Sequence, residues 1–206
     1  MIRDIVSNDL LTVILFSSLL IIIILKKIDY NSFSLYNSLI KRELRNKLGK
    51  NYTSLKISDI FYKILFISNL SILLCFYEMK KFDDIIYLKF LKYISLFFVI
   101  KFFTEIIIAQ LFSIQKVVRN YLWSKLIYIN SLGFLILIFN FFIVYAENNN
   151  QFIPILSTII LLCFLISYFV IFFSMKKVII KNWFYFILYL CTLEIIPYYY
   201  LISKVL

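Results

Sequence analysis

The stretch "LIYINSLGFLILIFNFFIVYA", residues 126–146, is 21 residues long and contains no charged side chain. A helix rises about 1.5 Å per residue, so about 20 apolar residues in a helix cross the hydrocarbon core of a bilayer. The stretch therefore predicts a transmembrane helix. Its length is the scale against which the other apolar runs of the chain are compared.

The composition of the whole chain agrees with that interpretation. Hydrophobic residues make up 63% of the 206 residues, and the mean hydropathy is +0.94. Soluble domains contain about 45–50% apolar residues, so a core surrounded by water does not bury this many. We therefore expect an integral membrane protein.

Six apolar runs of near-membrane length follow one another, and few glycines or prolines interrupt them. They predict an all-α fold, a polytopic transmembrane helix bundle that forms one domain over residues 1–206. The short polar turn "ENNNQ" (147–151) predicts that the fourth and fifth runs form an antiparallel hairpin. The predicted spans are 8–25, 60–79, 93–114, 126–146, 152–175 and 183–202.

The first run has a second interpretation, a cleaved signal peptide. The segment before it, "MIRDIVSND", carries two aspartates and one arginine, and no cleavage site made of small residues follows the run. A signal peptide begins with positive charge and ends in such a site. We therefore expect an uncleaved membrane anchor.

Lysine and arginine are distributed unevenly between the loops. With Lys116, Arg119 and Lys125 assigned to the third loop, loops one, three and five hold 14 of these residues and the opposite side holds six. Basic residues concentrate on the cytoplasmic side of membrane proteins. We expect a multi-pass protein of the bacterial cytoplasmic (inner) membrane with periplasmic termini. The basic residues behind the net charge of +11 are then expected in loops that face the anionic lipid bilayer, and the charge does not indicate binding to a nucleic acid.

The first loop contains one amphipathic segment, at about residues 32–49. Apolar residues recur there at helical spacing, and basic residues occupy the opposite face. We expect a helix that lies in the cytoplasmic headgroup layer; the alternatives are a lid packed on the bundle and a docking surface for a soluble partner. The apolar residues are Phe33, Tyr36, Ile40, Leu44 and Leu48, and the basic residues are Lys41, Arg42, Arg45 and Lys50.

Three charged side chains lie near the middle of predicted spans: Lys101 and Glu105 in the third, and Glu194 in the sixth. A charge at the centre of a membrane helix costs about 2.5–3.5 kcal/mol on insertion scales, so each of them needs a reason. Lys101 and Glu105 are four residues apart and lie on one helix face, which predicts an internal ion pair. A proton or ion relay through the same groups is the alternative.

Glu194 lies near the middle of its predicted span, "WFYFILYLCTLEIIPYYYLI" (183–202), close to Pro197. Proline removes one helix hydrogen bond and predicts a kink beside the carboxylate. Lys101 and Glu105 are expected at a similar depth. If the three charged side chains meet, one lysine does not neutralise two carboxylates, and we expect at least one glutamate to be protonated.

Span four carries small and amide residues, Asn130, Gly133 and Asn140, roughly along one face. In membrane helices such residues let two backbones approach and form hydrogen bonds across the contact. They predict a helix–helix contact, with Asn69 in span two as a partner.

Side chains that commonly carry catalysis or bind metals are sparse. The chain has no histidine, its three cysteines lie singly inside apolar runs, and no phosphate-binding glycine loop or metal motif is present. We expect no enzyme activity, no cofactor and no metal. The leading hypothesis is an accessory or scaffold subunit of a cell-envelope assembly that binds a membrane-protein partner or a second copy of itself. The alternative is a small transporter or ion-conducting protein that uses Lys101, Glu105 and Glu194.

The C-terminal phrase "FYFILYLCTLEIIPYYYL" resembles the signature of a Bacteroidota integral-membrane family, domain of unknown function 4271. The likeness extends more loosely to "MIRDIVSNDLLTVIL" at the start and to "LIYINSLGFLIL" (126–137). The resemblance implies an inner-membrane protein and brings no activity, substrate or cofactor with it. The matching residues are Phe184, Tyr185, Leu190, Cys191, Leu193, Glu194, Ile195 and Pro197.

Overall fold

The computed structural model of the chain describes residues 9–30, 33–34, 56–111, 115–145 and 149–174. Within these ranges the regular structure is entirely helical. The helices are α1 (Asp9–Ile28), α2 (Ile57–Met79), α3 (Asp84–Leu111), α4 (Gln115–Tyr145) and α5 (Asn149–Ser174). The all-α class predicted from the sequence is confirmed.

Four helical segments among the described residues are long and apolar enough to cross a membrane. Each has at least 20 residues, which matches the thickness of the hydrocarbon core. They are Asp9–Ile28, Ile57–Met79, Ser124–Tyr145 and Phe152–Ile171. By length and composition these are the helices of a membrane protein. The predicted third span, 93–114, falls largely on α3, which is not among these four, and the predicted sixth span lies outside the described residues.

Helices α3 and α4 begin well before the apolar runs that predicted them. α3 starts at Asp84 instead of residue 93, and α4 starts at Gln115 instead of residue 126. Lysine and arginine favour helix almost as well as leucine does, so a charged flank continues a helix. The basic residues assigned to the third loop, among them Lys125, therefore lie on α4 and not in a loop.

A tight turn connects α2 to α3. Lys80 adopts a left-handed conformation (φ 56°), and its N–H donates to the carbonyl of Phe76, which ends α2. The Asp83 side chain accepts the N–H groups of Ile85 and Ile86 and so caps α3. The turn makes α2 and α3 an antiparallel pair.

α4 is the central helix of the described bundle. It contacts α2 most extensively, then α5, and it also touches α3. Seven consecutive positions, 127–133, are buried, so this part of α4 has neighbours on every side. Buried aliphatic residues of α1, α2 and α4, such as Leu15, Ile72 and Ile136, belong to one continuous core. The core thus forms around α4.

Both ends of the first loop contact the bundle. Asp29, just after α1, accepts hydrogen bonds from the ammonium of Lys56 at 2.8 Å and from the hydroxyl of Ser58 at 3.3 Å. Phe33, in the predicted interfacial helix, packs edge-on against Phe134 of α4, with ring centroids 5.8 Å apart. Most of that predicted helix lies outside the described residues.

Candidate functional site

Polar side chains buried inside the bundle form two groups, one charged and one made of amides. In the charged group, the ammonium of Lys125 on α4 donates to Oε1 of Glu105 on α3 at 2.9 Å. Only 7% and 5% of these two side chains are exposed. The two residues therefore form a buried ion pair between helices.

Lys125 and Glu105 meet because α3 ends and α4 begins at the same end of the bundle. Glu105 lies six residues before the end of α3 at Leu111, and Lys125 lies ten residues after the start of α4 at Gln115. The ammonium of Lys125 is also 5.8 Å from the centre of the Tyr121 ring, which adds a cation–π contact. Removing one partner of a buried ion pair costs about 3–5 kcal/mol because it leaves the other charge buried and uncompensated, so loss of either residue should weaken the contact between the two helices.

Lys101 lies one helical turn before Glu105 on α3 and is buried, with 4% of its surface exposed. Its ammonium is 5.8 Å from the centre of the Phe97 ring. The sequence predicted Lys101 as the partner of Glu105, and the ion pair that the structure describes for Glu105 is with Lys125. The charged group thus contains two lysines, Lys101 and Lys125, and the sequence analysis assigns Lys125 to a loop.

The sequence analysis did not identify two lysines as buried or inward-facing candidates: Lys125 in this group and Lys63 near it. Lys125 borders an apolar run, where a lysine usually faces the interface. Lys63 lies near the start of α2, with its ammonium 3.9 Å from the centre of the Phe98 ring of α3. Each has an aromatic residue three or four positions away on its own helix, Tyr121 before Lys125 and Phe66 after Lys63. An aromatic residue at that spacing was the sequence feature that could have indicated a lysine facing the bundle.

The amide group joins α2 to α4 through two asparagines. The side-chain amide of Asn140 on α4 donates to the backbone carbonyl of Asn69 at 2.9 Å and to its Oδ1 at 3.2 Å. Asn69 in turn donates to the carbonyl of Leu65, one turn earlier on α2. Both asparagines are at most 1% exposed, so water does not compete for these bonds. They form a polar link inside apolar surroundings.

Gly133 lies where α4 comes close to the backbone of α2. A Cβ atom added to it would be 3.3 Å from Cβ and 3.4 Å from Cα of Phe66, tighter than ordinary contacts. Gly133 and Asn140 are seven residues apart and therefore lie on nearly the same line of the helix. Together they form the face of α4 that meets α2.

Asn130 does not share that face. At 100° per residue it is displaced by about 60° from Gly133 around α4. It is 1% exposed, and neither of its amide atoms has a hydrogen-bond partner in the part of the chain that the structure describes. A buried polar group without a partner costs about 1–3 kcal/mol. The polar line expected along span four is therefore two features, a contact with α2 and a separate buried amide.

Glu194 and Pro197 lie outside the described residues, so the meeting of Glu194 with Lys101 and Glu105 stays a prediction. Within the described ranges, no group of three His, Cys, Asp or Glu side chains could hold a metal ion. The chemistry that the described site offers is hydrogen bonding by amides and ion pairing between helices.

The model of one protein family matches residues 11–205, which is nearly the whole chain. The chain belongs to DUF4271, a domain of unknown function. The family suggested by the C-terminal phrase is confirmed. The part of the chain that matches DUF4271 includes both groups of buried polar residues and also Glu194. No curated protein and no solved structure matches the chain.

Proposed function

We propose that the protein is a six-span, non-enzymatic accessory or scaffold subunit of a cell-envelope assembly in the bacterial cytoplasmic membrane, with periplasmic termini. One observation supports this role most directly: polar side chains in the apolar helices bind other helices of the same chain. Lys125 binds Glu105, and Asn140 binds Asn69. These polar groups serve to join helices, as expected of a protein that acts by presenting a folded bundle to partners.

A transporter and a scaffold make different demands on charges inside the membrane. A transporter needs water or substrate to reach the charges, whereas a scaffold keeps them dry between helices. Lys101 and Glu105 are each 4% exposed, and Lys125 is 6% exposed. Their burial supports the scaffold hypothesis.

The partner in this proposal is another membrane protein or a second copy of the chain, bound within the bilayer. Large apolar side chains on α1 and α5 are exposed, among them Phe16, Leu20, Phe169 and Phe173. In a bilayer such side chains contact either lipid or an apolar helix of a partner. Close packing and hydrogen bonds decide between these two, because lipid tails are as apolar as the side chains.

Cross-linking in intact membranes, followed by purification in a mild detergent, tests the role. A tagged chain is expressed at its native level, and mass spectrometry quantifies the co-purifying proteins against cells that carry an untagged chain. We expect one membrane protein of the envelope, or a second copy with a different tag, in stoichiometric amounts. Recovery of the chain as a monomer without any cross-linked protein contradicts the proposal.

Surface variants locate the binding face in the same experiment. Phe16→Ala on α1 and Phe169→Ala on α5 remove exposed side chains without changing the core. We expect one of them to lower partner recovery while the amount of folded protein stays constant. Lys89→Ala, exposed on α3, is the matched control and should leave recovery unchanged.

A small transporter or ion-conducting protein is the second candidate, because charges lie inside apolar helices. Lys101, Glu105 and Lys125 are its described components, and Glu194 belongs to the same hypothesis. The test is proton-coupled flux into vesicles that contain the purified protein, read with a pH-sensitive dye. A flux that Glu105→Gln and Glu194→Gln both abolish, in a protein for which no binding partner is recovered, replaces the scaffold proposal.

A further inference from the structure

The buried amide of Asn130 faces a small apolar cluster that α1, α2 and α4 share. Ile127, three residues before Asn130, and Phe134, four residues after it, both pack in this cluster. Residues three or four apart lie on the same side of a helix, so Asn130 is between these two on that side of α4. The other members of the cluster are Leu25, Tyr62 and Leu65, with Ile21, Ile22 and Leu126 packed against them. The amide therefore lies at the junction of the three helices.

A second polar group, the hydroxyl of Tyr62, is buried in the same cluster. The Tyr62 ring is 5.6 Å from the Phe134 ring, measured between centroids, and 2% of the surface of Tyr62 is exposed. A phenol oxygen donates one hydrogen bond and accepts others, and an amide has one acceptor oxygen and two donor hydrogens. The junction thus holds two side chains that both donate and accept.

We propose that Asn130 and Tyr62 bind one internal water molecule between α1, α2 and α4. Asn130 is 1% exposed, and neither of its amide atoms is hydrogen-bonded to another residue of the described ranges. A buried polar group is costly without a partner, and buried waters in proteins bind such groups with about three hydrogen bonds each. A water here accepts from the amide nitrogen, donates to the amide oxygen and bonds to the hydroxyl of Tyr62.

The water site is separate from the charged group. Lys125 lies five residues before Asn130, which places it about 140° away around α4. The side chains that surround the amide in the cluster are leucine, isoleucine and aromatic residues, so a water at this place is enclosed by apolar groups. An enclosed water does not require a transported ion or a binding partner. Its test is therefore independent of the proposed accessory role.

Nuclear magnetic resonance of the full chain in detergent micelles tests the site. Asparagine is labelled with 15N, the side-chain signal of Asn130 is assigned by its loss in Asn130→Leu, and rotating-frame magnetisation transfer from water to the amide hydrogens is measured. We expect transfer several times stronger at Asn130 than at Asn140, because the amide nitrogen of Asn140 already donates to two oxygens of Asn69. Transfer at Asn130 no stronger than at Asn140 overturns the proposal.

Tyr62→Phe tests the second side chain that binds the water. The substitution removes the hydroxyl and keeps the ring that packs on Phe134, so the transfer at Asn130 should fall severalfold while the Asn140 signal stays in place. Tyr128→Phe is the matched control, because Tyr128 is also buried and lies about 160° from Asn130 around α4. It should leave the transfer unchanged. Transfer that persists in Tyr62→Phe, or falls equally in both variants, overturns the bridge between the two groups.

A double-variant cycle gives a second readout. The apparent unfolding temperature in detergent is measured for Asn130→Leu, for Tyr62→Phe and for their combination. Groups that share one water are coupled, so the shift of the double variant should differ by several degrees from the sum of the single shifts. Asn130→Leu combined with Tyr128→Phe is the control and should be additive. Additive shifts for Asn130→Leu with Tyr62→Phe overturn the shared site.

Discussion

The membrane-length parts of α4 and α5 are almost equally apolar and yet occupy opposite environments. In the most apolar 18-residue stretch of the membrane-length part of α4, Ser124–Tyr145, 61% of the residues are buried inside the protein. In the corresponding part of α5, Phe152–Ile171, the fraction is 11%. Apolarity therefore identifies both as membrane helices and does not say which one is central.

The polar side chains of the two helices explain the difference better. In α5 the hydroxyls of Ser157, Thr158 and Ser167 donate to carbonyls three or four residues earlier in the same helix. In α4 the amide of Asn140 donates to α2, and the ammonium of Lys125 donates to α3. The hydroxyls of α5 are satisfied within their own helix, whereas the Asn140 amide and the Lys125 ammonium of α4 bind neighbouring helices. Such residues mark the helix that has neighbours.

The largest loss of stability is expected from breaking the ion pair that joins α4 to α3. Lys125→Met leaves the buried Glu105 carboxylate without its ammonium donor, so the free energy of unfolding should fall by about 3–5 kcal/mol. Reversible unfolding in mixed detergent micelles measures the loss. Lys89→Met, on the exposed side of α3, is the control and should change it by less than about 0.5 kcal/mol. Equal effects of the two substitutions would show that the pair does not hold α4 in place.

The next largest effect is expected from filling the close contact between α4 and α2. Gly133→Val adds a branched side chain where a single Cβ would already be 3.3 Å from Phe66. Overpacking of this kind costs about 1–3 kcal/mol of unfolding free energy. The same unfolding measurement checks it, with Ile138→Val on the exposed side of α4 as the control. Unchanged stability of the Gly133 variant would mean that the two helices separate there without loss.

The two buried asparagines of α4 should respond differently to the same change. Asn140→Leu removes the bonds to Asn69 and should cost about 1 kcal/mol, the usual size for a polar contact between membrane helices. Asn130→Leu removes an amide that has no partner among the described residues, so stability should stay the same or rise. Unfolding of the two variants side by side measures the contrast. A similar loss for both would show that Asn130 binds a group outside the described residues.

Part of this arrangement could be predicted from the sequence. An amide in an apolar run is conspicuous, and the helical period places Gly133 and Asn140 on one line, so both could be assigned to a contact from spacing alone. The structure has them facing α2, with Asn140 bound to Asn69. The same period displaces Asn130, and grouping it with the other two was too coarse.

The charged group was less accessible to prediction, for a physical reason. A lysine at the edge of an apolar run extends to the headgroups when its helix is isolated and turns inward when a carboxylate faces it from another helix. Which of these occurs for Lys125 depends on where α3 ends and α4 begins. The end of α3 lies in a stretch without charged residues, 106–115, the start of α4 is followed by Lys116 and Arg119, and no glycine or proline marks either end. The partner of Glu105 is therefore a property of the packing.

The smallest effect is expected on α5. Thr158 is exposed, and its hydroxyl donates to the carbonyl of Ile155 in its own helix. Thr158→Val keeps the shape of the side chain and removes a bond that joins no second helix, so the free energy of unfolding should change by less than about 0.5 kcal/mol. Unfolding in micelles and partner recovery after cross-linking are measured on the same variant.

Unchanged stability together with lost recovery would show that this face of α5 binds the proposed partner. A loss of stability above about 1 kcal/mol would instead show that α5 depends on contacts between helices as α4 does, and the contrast between them would fail.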